Sequence, residues 1–175
     1  MNKGSSLDMK KNLLELRRVC LPEKITGRIF LHSMPGRYEK WEEFLAAARK
    51  LNISHVLCLA PLDEVRLKSP EYAIAISNGS IIFDLIECPV PDFDLPQNND
   101  EFMAHMKNVA DLIQEGKNLL IHCAGGHGRT GMAAACILQL LGFKPDEALQ
   151  TISMAGSAPD NLEQQKIVYE FAKLI

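Results

Sequence analysis

The chain has 175 residues, 47% hydrophobic and 23% charged, enough to bury one substantial core without calling for a second domain. Its formal net charge of −3 argues against bulk binding to nucleic acid or to an anionic membrane surface. Five cysteines without regular spacing suit neither a disulfide framework nor a zinc site, and no apolar run approaches the ~18 residues of a spanning helix.

No signal-peptide pattern opens the sequence, so a reducing, cytoplasmic setting is expected. Residues 1–24 read as an N-terminal extension. Leu13, Leu14 and Leu16 among charges predict a short amphipathic helix within residues 7–20, broken by Pro22 and Gly27. Residues 28–31 read as a strand that ends in the turn Met34-Pro35-Gly36-Arg37. Residues 41–51 read as a helix with Trp41, Phe44, Leu45 and Ala48 on one face. Residues 54–60 form a short apolar strand closed by Pro61, and residues 62–76 a loop with helical turns. A strand over 80–86 leads into a loop punctuated by Pro89, Pro91 and Pro96.

A helix over 98–115 should stop at Gly116, and another should run to Leu141 before Gly142. Lys144-Pro145-Asp146 restarts a helix to about Met154, and a last one occupies about 160–174. Strands alternating with helices imply an α/β fold, with a mainly parallel sheet covered by helices on both faces.

The most informative stretch is Ile121-His122-Cys123-Ala124-Gly125-Gly126-His127-Gly128-Arg129-Thr130-Gly131. Apolar residues lead in and an alanine-rich run follows, which reads as buried strand, glycine loop and helix. A glycine loop at a helix N-terminus turns backbone N–H groups toward one point and builds an anion nest. The field that binds a phosphate also favours a thiolate over a thiol, which makes Cys123 the expected nucleophile. Arg129 offers a planar fork to two phosphate oxygens.

His-Cys, five residues, Arg, Thr, Gly resembles the signature of the cysteine-dependent protein tyrosine and dual-specificity phosphatases. The glycine pattern is closest to compact members of the cyclin-dependent-kinase-associated type, and the resemblance covers the chain from about Ile25 onward. It implies a phosphatase-like single catalytic domain over 25–175 that acts on phosphorylated protein. No cofactor, metal, nucleic acid or membrane enters this reading, and the protein is expected to be a monomer.

The resemblance also implies a general acid about thirty residues upstream of the cysteine. Asp92, in Val90-Pro91-Asp92-Phe93-Asp94-Leu95-Pro96, matches it, with Asp94 as the alternative. Val90 stands where the family has tryptophan, and Asp94 where it has glycine. Thr130 is expected to stabilise the departing thiolate, and Gln164 to orient the hydrolytic water unless Gln165 does so. Ala124, Gly125, Gly126, His127, Gly128 and Arg129 would line the phosphate, and His122 would orient the loop. His127 either lines the rim or points to solvent. Glu64 either braces the arginine and the acid loop or is a surface residue. Cys58 is either the redox partner of Cys123 that the resemblance implies, with Cys88 as its rival, or only a small core residue. His32, His55 and His105 lack metal-ligand spacing.

The expected substrate is phosphotyrosine together with phosphoserine or phosphothreonine. The anion loop carries no lysine of the kind that lipid phosphatases use against extra inositol phosphates, and no tyrosine-bearing recognition loop is evident. A phosphoinositide phosphatase and a non-catalytic phosphoprotein-binding module are the alternatives.

Overall fold

The computed structural model describes residues 14–175. Strands β1 (Arg17–Arg18), β2 (Arg28–His32), β3 (Ile53–Cys58), β4 (Asp84–Glu87) and β5 (Asn118–His122) form one sheet in the order β1-β2-β5-β3-β4. All neighbours are parallel except β1, which runs antiparallel to β2 at the edge. Helices α1 (Trp41–Lys50), α2 (Leu62–Lys68), α3 (Pro70–Ser77), α4 (Asn99–Gln114), α5 (Gly128–Leu140), α6 (Pro145–Met154) and α7 (Leu162–Phe171) cover both faces. The architecture is the single-domain α/β arrangement that the sequence predicts. No helix among the described residues is long and apolar enough to cross a membrane.

Strand β5 lies between β2 and β3 and is apolar throughout its middle, because both its faces are covered. Leu119 and Ile121 enter the core beneath α4 to α7, where Met106, Ile137, Ile152 and Val168 meet them. Leu120 enters the opposite core with Phe44, Tyr72 and Phe83. Helix α5 is buried from Gly128 to Gln139, which is why its sequence lacks a polar face. The small side chains Ala133, Ala134 and Ala135 let its neighbours approach closely.

Three expectations change. The described part of the 7–20 segment is not helical: Arg17–Arg18 is a strand whose residues face Leu31 and Phe30 of β2. Residues 1–13 lie outside the described residues. Leu16 and Val19 enter opposite cores. Positions three apart fall on opposite faces of a strand but on one face of a helix, so the extended form buries both. Residues 62–76 form two defined helices, α2 and α3, with Pro70 starting the second. Strand β4 begins at Asp84, since the Ser80 N–H is held by the Ala75 carbonyl and the Asn78 side chain, both at 3.0 Å.

Candidate active site

Parallel strands bring their C-terminal ends to one edge, and there β5 hands over to the loop 123–127 and then to α5. Cys123 is buried at the base of this loop, and the Gly126 N–H points to its Sγ at 3.3 Å. Gly126 has φ +74°, and a side chain there would run into the His32 backbone, so the position needs glycine. The Met34 N–H donates to the Ala124 carbonyl at 3.1 Å and ties the loop to the turn after β2. The first turn of α5 is clamped by residues 157–160. The Asp160 carboxylate lies where a Gly128 Cβ would be, and a Gly131 Cβ would sit 2.7 Å from Ala158 Cα. The Ser157 hydroxyl is 2.9 Å from both the Gly126 and His127 carbonyls.

His122 is fully buried and anchors the loop from below. Its Nδ1–H donates to the Cys123 carbonyl at 3.0 Å, since a carbonyl can only accept; Nε2 therefore accepts the Tyr72 hydroxyl at 3.1 Å. Burial pushes its pKa from the ordinary 6.5 down to about 4, so the folded protein holds it neutral. An unfolded chain protonates this ring near 6.5, the folded one only near 4. Between those values the unfolded state binds more protons, and stability falls as pH falls. The unfolding free energy from urea titration is expected to drop by about 2 kcal/mol between pH 7 and pH 5. His122→Asn should flatten that slope; an equally steep slope in the variant would show that another group carries it.

Arg129 is 1% exposed and is held on three sides. Its Nη1 donates to Glu64 Oε2 at 2.8 Å and to the Val90 carbonyl at 3.0 Å. Its Nη2 reaches Glu64 Oε1 at 3.1 Å and Asp92 Oδ1 at 2.9 Å. Burial by itself would lower the arginine pKa, but the bond to Glu64 and the charges of Cys123 and Asp92 outweigh it and raise it. Burial would likewise raise the Glu64 carboxyl; Arg129 and Lys68 outweigh it and hold it at about 2. Glu64 therefore braces the arginine.

The loop that carries Asp92 is fastened to α7. Gln164 is fully buried, its Nε2 donating to the Asp94 carbonyl at 3.1 Å and its Oε1 accepting the Asp160 N–H at 2.9 Å. Asn161 caps α7 through the Gln164 N–H and donates to the Phe93 carbonyl at 3.0 Å. These bonds hold Phe93 at φ +57°. The turn carries Asp92 to Arg129, while Asp94 spends its Oδ1 on the Leu95 N–H at 2.8 Å. The Asp92 side chain stays 46% exposed and is free to exchange partners.

The geometry brings Glu64 and Asp92 onto Arg129, at the end of the loop whose Gly126 N–H points to Cys123. Gln164 lies against the acid loop, and half-buried Gln165 does not share its bonds. The His127 Nδ1–H donates to the Gly156 carbonyl at 3.1 Å, which turns the ring toward the loop before α7. Thr130 Oγ1 is buried and finds no partner among the described residues. Cys58 is in the core beneath α1 to α3, its thiol donating to the Ala60 carbonyl at 3.4 Å and pushed up to about 12 by burial. Cys123 and Cys88 belong to the other core.

Sequence reasoning missed Arg17, Tyr72, Ser157, Asp160 and Asn161. Of these only Asn161, an Asn three residues before a glutamine at a helix start, carries a local signal.

A family model described as "Swiss Army Knife protein, DSP-PTPase phosphatase domain" matches residues 25–168. Putative tyrosine phosphatase 067L of Invertebrate iridescent virus 3 is 28% identical over 131 residues, covering 73% of this chain and 51% of that protein. Cyclin-dependent kinase inhibitor 3 of Rattus norvegicus is 31% identical over 87 residues, covering 47% of this chain and 41% of that protein. The chain thus spans about half the length of the curated relatives it matches. Among solved structures, kinase associated phosphatase with its catalytic cysteine replaced by serine superposes with a TM-score of 0.80 at 16% identity, over 94% of this chain and 97% of that one. Tk-PTP in its active form gives 0.67 at 22% identity, over 91% and 98%. At these identities the structural likeness is one of fold.

Proposed function

Because the chain belongs to the DSP-PTPase phosphatase domain family, we propose that it hydrolyses phosphotyrosine and phosphoserine or phosphothreonine on proteins through a phosphocysteine intermediate. The observation that carries this reading is that the loop opened by buried Cys123 closes on buried Arg129, whose Nη2 meets Asp92 from the neighbouring loop at 2.9 Å.

A phosphate entering the loop takes over the Nη2 of Arg129 that Asp92 occupies, and Asp92 swings to the leaving oxygen. Glu64 keeps its hold on the guanidinium, so the fork stays oriented. The Cys123 thiolate attacks phosphorus in line; the S–P bond forms as the P–O ester bond breaks, and Asp92 gives its proton to the departing oxygen. Asp92 then takes a proton from a water that attacks the phosphocysteine, and Gln164 positions that water once its Nε2 leaves the Asp94 carbonyl. The S–P bond breaks, phosphate leaves, and the Thr130 hydroxyl donates to the returning thiolate. Arg129 and the amides of Ala124 to Gly128 hold the equatorial oxygens throughout, which puts the main catalytic effect in electrostatic preorganisation.

We assign 25–175 as the catalytic domain, with 1–24 as an N-terminal extension whose strand β1 completes the same sheet. The charge around the site supports a protein substrate: the anion loop carries no lysine, and Lys68 beside it is already paired with Glu64 and lies 3.9 Å from Asp92, which disfavours a headgroup bearing several phosphates. Turnover on matched panels of phosphopeptides and phosphoinositides tests this, with Cys123→Ser as the blank. Phosphotyrosine and phosphothreonine peptides should both be hydrolysed. Turnover confined to phosphoinositides would replace the protein substrate, and tight phosphopeptide binding without turnover would make the chain a binding module.

A further inference from the structure

The half-buried Arg17, on the edge strand β1, is not needed for any step above. Its guanidinium nevertheless reaches across the molecule to the anion loop. Nη2 donates to the Gly126 carbonyl at 2.5 Å, and Nη1 donates to the Gly156 carbonyl and, at 3.3 Å, to that of Ala155. Its aliphatic stem passes 3.5 Å from the position a Gly156 Cβ would take. The Gly126 carbonyl also accepts the Ser157 hydroxyl at 2.9 Å, so two donors pull it out of the loop.

A trans peptide unit is planar, with its C=O and N–H on opposite sides. The Gly126 carbonyl shares its unit with the His127 N–H. Turning that carbonyl outward therefore turns the His127 N–H inward, toward the space where an anion is held. A carbonyl bonded to a cation also polarises its peptide and makes the linked N–H a better donor. We propose that Arg17 is a positioning residue of the anion loop: it fixes the 126–127 peptide so that the His127 N–H faces the phosphate, and it adds positive charge behind Cys123.

Two further observations agree. Burial lowers the Arg17 pKa from its ordinary value while the Cys123 charge opposes that shift. The same guanidinium ties β1 to the segment before α7, whose residues Ser157 and Asp160 clamp the start of α5. The strand, the loop and the acid-loop anchor thus share one cation.

The proposal rests on the phosphatase reading, and the test separates the two. The affinity for inorganic phosphate, kcat and KM on a phosphopeptide, and Tm without phosphate are measured for wild type, Arg17→Met, Arg17→Lys and Arg18→Met. Arg17→Met should weaken phosphate binding about tenfold and lower kcat/KM by at least as much, with kcat falling as well as KM rising. Arg17→Lys should recover part of both, because an ammonium can reach the Gly126 carbonyl but cannot span to Gly156 as well. Arg18→Met removes the same charge from the neighbouring exposed position and should change neither. Unaltered phosphate affinity in a folded Arg17→Met protein, or in Arg17→Lys should the methionine variant unfold, overturns the role. A wild type that never turns over phosphopeptide, yet loses phosphate affinity on Arg17→Met, overturns the phosphatase reading and keeps the role of Arg17.

Discussion

Cys123→Ser is expected to abolish phosphopeptide turnover, by at least about 10⁴-fold, while leaving phosphate and vanadate bound. Serine replaces the sulfur by a hydroxyl that nothing nearby deprotonates, since His122 is turned to the Cys123 carbonyl and Tyr72. The loop amides, Arg129 and the bond from Arg129 to Glu64 all survive the change. Anion affinity should therefore persist, and the variant should retain phosphorylated substrate. The measurement pairs single-turnover kinetics with equilibrium binding of vanadate. Wild-type rates in the serine variant would remove the covalent mechanism, whereas loss of both turnover and anion binding would point to a collapsed loop.

Asp92→Ala should slow hydrolysis of poor leaving groups such as phosphothreonine peptides by about 10²–10⁴-fold. Activated aryl phosphates should suffer much less, because their oxygen departs without full protonation. The variant also removes the carboxylate that occupies Arg129 Nη2 at 2.9 Å, so phosphate should bind as well or better. That combination, slower chemistry with undiminished anion affinity, distinguishes a proton donor from a residue that merely stabilises the site. Asp94→Ala is the matched comparison. Its side chain serves the turn through the Leu95 N–H, so it should leave the leaving-group dependence unchanged. If the two variants exchange these patterns, the acid is Asp94.

Several choices left open by spacing alone are made by packing. Neighbouring positions on a helix point about 100° apart, so Gln164 and Gln165 cannot share an environment. Gln164 is the one turned inward, against the acid loop and Asp160. Glu64 is equally compatible with a surface helix and with a brace, until the approach of α2 to α5 places both its oxygens on Arg129. The mistaken helix at 7–20 has the same origin. Leucines among charges suit an amphipathic helix, but the exposed edge of β2 offers pairing and two separate cores for Leu16 and Val19.

By itself the sequence determined the alternation of strands and helices, the glycine loop between β5 and α5, and the cysteine and arginine at its two ends. These features are local: hydrophobic period, turn chemistry and the reach of a short loop are set within about a dozen residues. Only the tertiary structure decided what holds the loop in shape. Arg17 meets Gly126 across 109 positions, Glu64 meets Arg129 across 65, and Tyr72 meets His122 across 50. No periodicity encodes such pairs, because they arise when the order β1-β2-β5-β3-β4 brings distant segments to the same sheet edge. There burial removes the water that would otherwise satisfy these polar groups, and each must find the other.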